Sequence, residues 1–298
     1  MTIHSLVRSL SVGLALMATT AFASPITDGF DDGNRQNSPN GLNWYGINGT
    51  TSTGSPKPGL EIIDDTAGIG SGDALSVEGR GSNSELIAVF GQTVSLGSQT
   101  GDKLVMSFDF RVNGPNLGGE LRFGGYQDTD NQLGIGGWGT SDGDFDAESP
   151  GAIGDTGIFI RLPLTANGDS ARINDEANVN NILGGSGDAD FIASPDAGSF
   201  TGITDDLKHT VTFVVERLGP GVNDLLMTLD VDGLNSFGGS DSNDTIVSVV
   251  SWDYFAAVTT SDTDWIIDNF SIEAIAIPEP TALMLAAMAV TGLLARRR

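Results

Sequence analysis

One stretch constrains the backbone more than any other: Leu104-Val105-Met106-Ser107-Phe108-Asp109-Phe110-Arg111-Val112. Leu104, Met106, Phe108, Phe110 and Val112 occupy every second position, with Val105, Ser107, Asp109 and Arg111 between them. A period of two places the first set on one face of a strand and the second on the other, the signature of a half-buried strand. The stretch from His209 repeats it. His209, Val211, Phe213 and Val215 share one face, and Thr210, Thr212, Val214 and Glu216 the other. Further short apolar runs lie at 60–63, 74–77, 86–90, 121–123, 158–162, 225–231, 246–255 and 265–275, separated by Gly, Asp and Asn clusters. No window between 25 and 277 keeps a helical period. Many short strands with turn-rich joints and no helices predict an all-β, antiparallel β-sandwich or jelly roll.

The two ends read differently. Residues 1–9 carry Arg8 and no acid, residues 10–18 are mostly apolar, and Ala21-Phe22-Ala23 is a small-x-small cleavage site. This pattern predicts a secretory signal peptide over 1–23, cut between Ala23 and Ser24. At the other end Pro278-Glu279-Pro280 precedes fifteen uncharged residues, 281–295, and then Arg296, Arg297 and Arg298. As a helix that run is about 22 Å long, short against a hydrocarbon core of about 30 Å. A flanking arginine triplet is expected on the cytoplasmic side of the inner membrane, which puts the preceding residues outside it. The expected organisation is therefore a signal peptide (1–23), a β-sandwich domain (24–277) and a tail with a transmembrane helix (278–298).

The tail resembles the PEP-CTERM sorting tail of exported bacterial proteins, with motif, apolar segment and basic cluster in order at the terminus. That resemblance implies recognition of Pro278, Glu279 and Pro280 by a membrane-embedded exosortase. It further implies removal of the tail and delivery from the inner membrane to the cell surface or extracellular matrix.

Charge narrows the partners. The chain carries 39 acids and 14 Lys+Arg. Setting aside Glu279, Arg8 and Arg296–Arg298 leaves 38 acids and 10 bases, or −28, for the central domain. Such a surface repels nucleic acid, which needs clustered Lys and Arg. It suits divalent cations or simple solubility. There is no cysteine, so stability has to come from the hydrophobic core. Of the acids 30 are Asp and 9 Glu, and Asp is the turn-former of the two.

Two further stretches carry a second resemblance. His209-Thr210-Val211, a turn at Gly219-Pro220-Gly221, and Val231-Asp232-Gly233 resemble the hairpin of concanavalin-like and laminin-G-like jelly rolls. Phe30-Asp31-Asp32 and the run from Trp265 to Ile272 resemble the first and last strands of such domains, and that likeness implies that the two termini pair in one sheet. Lys208 stands where a Trp often precedes the hairpin His in those folds.

Candidate chemistry is sparse. Asp142, Asp144 and Asp146 alternate along an acidic loop, the opening of a calcium-binding loop. The glycine expected at its sixth position is absent, and Ile153 stands where a bidentate Glu belongs. His209 is the one histidine left after signal removal, and no Gly-x-Ser-x-Gly elbow is present. The Glu-x-Asp-x-Glu pattern by which glucanases of this fold place two carboxylates on one strand is also absent. Carbohydrate binding requires less, an exposed aromatic with Asp or Asn nearby. Trp44, Trp138, Trp252, Tyr126 and Tyr254 are candidates, and Trp138, between two glycines, is the one most expected to be exposed. The tail's resemblance, rather than any site, implies a protein exported through the Sec machinery to the surface or matrix, with a structural or glycan-binding role in the extracellular polysaccharide layer. The alternative is a carbohydrate-active enzyme on the same fold.

Overall fold

The computed structural model describes residues 24–35, 42–48, 59–70, 72–79, 84–113, 118–128, 155–166, 168–176, 183, 189–221, 224–233, 235–241 and 250–277. Within them fifteen strands form two antiparallel sheets packed face to face. The first sheet contains β1 (Ile26–Asp28), β3 (Leu60–Asp64), β4 (Asp73–Val77), β6 (Lys103–Asn113), β11 (His209–Arg217), β12 (Leu225–Val231), β13 (Asn235–Asp241) and β15 (Asp264–Ile275). Its order is β13-β12-β11-β6-β15-β4-β3, with β1 added to β15. The second contains β2 (Asn43–Asn48), β5 (Ser84–Ser95), β7 (Glu120–Gln127), β8 (Thr156–Pro163), β9 (Arg172–Glu176), β10 (Ala189–Ala193) and β14 (Ser251–Thr259). Its order is β10-β9-β8-β7-β14-β5-β2. Helix is limited, among the described residues, to a 3₁₀ turn at Gly168–Ser170.

The alternation read from sequence is realised where it was strongest. Leu104, Met106, Phe108 and Phe110 of β6 and Val211, Phe213 and Val215 of β11 are buried in the inter-sheet core, while Val105, Ser107, Thr212 and Val214 are half-buried on the outside. From the second sheet Trp44, Leu86, Phe123, Ile160, Trp252 and Phe255 enter the same core. Burial of so many large side chains at roughly 25 cal/mol per Å² of apolar surface is the dominant stabilising contribution in a chain without disulfides. The termini do pair in one sheet, Ile26 against Ile272 and Asp28 against Phe270.

Three expectations are corrected. Phe30-Asp31-Asp32 is not the first strand. That strand ends at Asp28, and Asp31 and Asp32 form a turn opened by Phe30 with φ 56°. The Gly-, Ser-, Thr- and Pro-rich composition of 46–59 predicts a long loop, yet Gly46 lies inside β2. The described strand in the 246–255 run starts only at Ser251 and extends on to Thr259.

Candidate functional site

The outward faces of the two sheets are built differently. On the second sheet the face turned away from the core is itself apolar and buried: Tyr45, Ile87, Val89, Tyr126, Phe159, Tyr254, Ala256 and Val258 cluster there with Leu183. Pairing register orders this face in rows. Glu176, Gly157, Tyr126, Tyr254 and Val89 are successive neighbours across β9, β8, β7, β14 and β5. The next row holds Phe191, Asn174, Phe159, Gly124 and Ala256. The third holds Arg172, Arg161, Arg122 and Val258.

The first row is a hydrogen-bonded aromatic pair. The Tyr126 and Tyr254 rings stack at 5.3 Å with an interplanar angle of 13°. The Tyr126 hydroxyl donates to Glu176 Oε2 at 2.6 Å, reaching across β8 at Gly157. A Cβ at Gly157 would stand 2.4 Å from Tyr126 Cδ1, so the bare glycine makes the reach feasible. The Tyr254 hydroxyl donates to Asp155 Oδ2 at 2.9 Å. Burial, reinforced by the charges of Glu176 and Asp155, pushes both phenols well above the ordinary tyrosine range, so they remain protonated donors. Leu183, with φ 58°, closes over this row. Its N–H lies 3.2 Å from Glu176 Oε2, and its carbonyl accepts from Arg122 Nη1 at 2.9 Å.

The third row gathers three of the ten bases of the central domain. Glu120 accepts from Arg161 at 2.6 and 2.9 Å and from Arg122 at 3.1 Å. Burial raises the Glu120 carboxyl, but the two guanidinium groups outweigh it and hold the group below its usual range. Arg172 is exposed, and its guanidinium sits 5.9 Å from the centroid of the Phe191 ring. Phe191 is 54% exposed at the edge of the sheet. Beside it Asn174 is only 5% exposed, and its Nδ2 has no hydrogen-bond partner among the described residues. Aromatic face, guanidinium and amide thus share one face at the β9–β10 edge.

A second polar cluster occupies one end of the first sheet. Asp28 accepts from Trp44 Nε1 and Phe30 N, both at 2.9 Å. Asp109 accepts from Lys208 Nζ at 2.8 Å, Thr210 Oγ1 at 2.6 Å and Asn269 Nδ2 at 2.9 Å. Burial raises Asp109, yet those three bonds prevail and hold it below the usual carboxylate range. Asp268, beside it in a bulge with Asn269 at φ 50°, is pushed up to about 6 by burial and by the charges of Asp109 and Asp31. His209 lies between Asp232 (Nδ1 to Oδ2, 2.7 Å) and Asp205 (Nε2 to Oδ1, 2.9 Å), tilted over Phe110 at 5.6 Å. The histidine and the Val-Asp-Gly turn, flagged together in sequence, therefore do meet. Their bonds tie a strand start to a turn, a structural task.

Of the aromatic candidates, Trp44, Trp252, Tyr126 and Tyr254 are corrected: each is at most 1% exposed and packs inside the protein. Trp138, Asp142, Asp144 and Asp146, the run Leu133–Trp138 whose composition predicts a further strand, Ala23 and the whole tail from Pro278 to Arg298 lie outside the described residues. Ser24 is exposed at the start of the domain. Among the described residues no group of three or more His, Asp or Glu is placed to hold a metal ion, and no helix is long and apolar enough to cross a membrane. Phe191 was missed in the sequence because it stands in an Asp- and Gly-rich region with no legible alternation.

No protein-family model matches the sequence, and no curated protein matches it. Solved structures of similar fold do exist. One is a protein of unknown function with a galectin-like fold from Bacillus subtilis, 11% identical, with 78% of this chain and 90% of that chain covered at a TM-score of 0.47. The metal-free carbohydrate recognition domain of Emp46p is 14% identical, covering 84% and 95%, at 0.46. The cellulose-induced protein Cip1 is 14% identical, covering 83% and 96%, at 0.46.

Proposed function

We propose that this chain is an exported β-sandwich that binds polysaccharide at the β9–β10 edge of its second sheet. In this reading the tail anchors it to the inner membrane, and processing at Pro278-Glu279-Pro280 passes it to the cell surface or matrix. The observation that carries the binding is the grouping of Phe191, Arg172 and Asn174. An exposed Phe by itself needs no explanation. A buried amide N–H₂ without a partner costs about 1–3 kcal/mol, and a ligand that accepts from it would recover that cost. A sugar ring offers the complement, an apolar C–H face to stack on Phe191 and hydroxyl oxygens to accept from Arg172, and from Asn174 once its buried amide swings out to the edge.

Binding is favoured over hydrolysis by the state of two carboxylates under this face, Asp155 and Glu176. Both are fully buried, and each accepts from a tyrosine hydroxyl. A retaining glycosidase needs two carboxylates about 5 Å apart that flank an accessible glycosidic bond. Affinity electrophoresis of the protein through neutral and acidic polysaccharides tests the proposal. Retardation by at least one polysaccharide, weakened at least tenfold in Phe191→Ala and in Arg172→Ala, is expected. Retardation that survives both substitutions would place the binding elsewhere, and release of new reducing ends would return the enzyme reading.

A further inference from the structure

We propose that the end of the sandwich from which the tail departs is a lipid-contacting surface, with Leu218, Ile275 and Ile277 seated in the headgroup layer of the membrane. The inference rests on the reading of 281–295 as a membrane span and goes beyond it. It concerns how the folded domain sits, not only that it is tethered.

The first argument is the length of the joint. Ile277 is not the start of a free linker. Its N–H donates to Asp102 Oδ1 at 2.7 Å, and Asp102 is 1% exposed with its other oxygen taken by Gln99 N at 2.7 Å. Ile277 also packs on Gly101, where a Cβ would come within 3.2 Å of Ile277 Cγ1. The fold therefore holds the chain up to the residue before Pro278. Only Pro278, Glu279 and Pro280 separate it from the uncharged run. Three extended residues reach about 10 Å at most, while a headgroup layer is about 5–8 Å thick. A run of about 22 Å is also short for a core of about 30 Å. The mismatch draws Ile277 toward the bilayer rather than letting the domain stand off.

The second argument is what this end presents. Gly101 N donates to Arg217 O at 2.7 Å and Arg217 N to Asp102 O at 3.0 Å, so the 97–101 and 218–221 segments and the chain exit lie side by side. Ile275 pairs with Lys103, which pairs with Glu216. Leu218 is 48% exposed, Ile277 46% and Ile275 37%. Residues 97–101 and 218–221 hold no charged side chain. Nearby, Lys103 and Glu216 neutralise one another at 3.1 Å, and Asp224 caps Gly221 N at 3.0 Å. At the opposite end of β11, Asp205, Asp206 and Asp232 are exposed. In a domain of net charge −28, segments 97–101 and 218–221 are uncharged where the chain turns to the membrane, with Asp224 the exposed acid beside them, while Asp205, Asp206 and Asp232 lie at the far end of β11.

The absence of cysteine makes the test direct, because any introduced thiol is unique. The full chain is reconstituted in phosphatidylcholine vesicles with an environment-sensitive fluorophore on Leu218→Cys, Ile277→Cys or Leu207→Cys. Leu207 is the control: it is 64% exposed, equally apolar, and lies beyond the other end of β11, roughly 35 Å from Leu218 along the strand. Headgroup spin-labelled lipid is expected to quench the labels at 218 and 277 at least threefold more than the label at 207. Quenching at 277 with none at 218 would overturn the seated surface while leaving the span intact. No quenching at 277, together with extraction of the chain by alkaline carbonate, would overturn the membrane reading and this inference with it.

Discussion

The two sheets share one core but meet their surroundings in opposite ways. In the first, β11 and β12 alternate buried residues with half-buried or exposed ones along their whole length, so the outward face is a wall of Thr, Val, Leu, Asp and Glu against water. In the second, eight of nine residues of β14 are buried, as are four consecutive residues of β8, so the outward face is a covered floor of tyrosines, carboxylates and aliphatic side chains. Antiparallel sheets usually leave one face solvated, and the β11–β12 side of the first obeys, while Ile69, Ala74 and Ile266 make a small buried cluster over its β4–β15 side. The second has a second small core on its far side. Equivalent truncations on the two outward faces should therefore differ sharply. Phe159→Ala on the second sheet is expected to cost about 3–5 kcal/mol, a core-like value. Val214→Ala on the first should cost about 1 kcal/mol or less. Urea unfolding of both variants measures the gap, and equal losses would abolish the distinction between wall and floor.

That contrast also explains what the sequence could convey. β6, β11 and β12 were legible because a face against water enforces period two. The second sheet has no such face, so alternation fades, and Gly124, Gly125 and Gly157 interrupt its apolar runs for packing reasons. A Cβ at Gly125 would stand 2.2 Å from Trp252 Cδ2. β2, β9 and β10 escaped notice, and so did the site on β9 and β10. Phe191, Arg172 and Asn174 become neighbours through strand register, which cannot be read from one strand. Tyr126 and Tyr254 looked like surface aromatics because their carboxylate partners are 50 and 99 residues distant in sequence.

The polar interior of the floor offers the next largest effect. Glu176→Gln removes the charge that accepts from Tyr126 at 2.6 Å and from the Leu183 N–H. A charge-assisted bond in a buried site contributes about 1.5–3 kcal/mol, and a loss in that range is expected by urea unfolding. Tyr126→Phe in the same background should add little, because both changes remove one bond. A fully additive double variant would show that the two groups act separately.

The first sheet answers with a pH effect instead. Asp268 titrates near 6 in the folded state, against an ordinary value of 3.8, because it is buried beside Asp109 and Asp31. The folded state therefore holds the proton over a range in which the unfolded chain has released it. Stability from this group is present below about pH 4 and is lost as pH rises to about 6. Asp268→Asn keeps an acceptor for the Asn269 N–H, which now donates at 2.7 Å, and removes the charge. The variant should match the wild-type melting temperature near pH 4 and exceed it by a few degrees at pH 7, about 1–2 kcal/mol. A difference that does not change between pH 4 and 7 would remove Asp268 as the cause.

A small expected stability change bears most on function. Phe191 belongs by register to the row of Phe159, the covered floor, but lies at its outer edge, more than half exposed. If that row is continuous core, Phe191→Ala should cost several kcal/mol, as Phe159→Ala does. If the floor ends at Asn174 and the edge is kept open for a ligand, the loss should stay within about 0.5 kcal/mol, the usual range for exposed positions. Losing the contact with Arg172 raises that ceiling to about 1–1.5 kcal/mol, since an exposed cation–π pair contributes about 0.5–1 kcal/mol. Unfolding and polysaccharide retardation, measured on the same Phe191→Ala preparation, separate the two cases. A stability loss within that ceiling with lost retardation identifies an aromatic held in water for a partner. Lost stability with retained retardation makes Phe191 the last residue of the floor, and the sugar site has to be sought on another face.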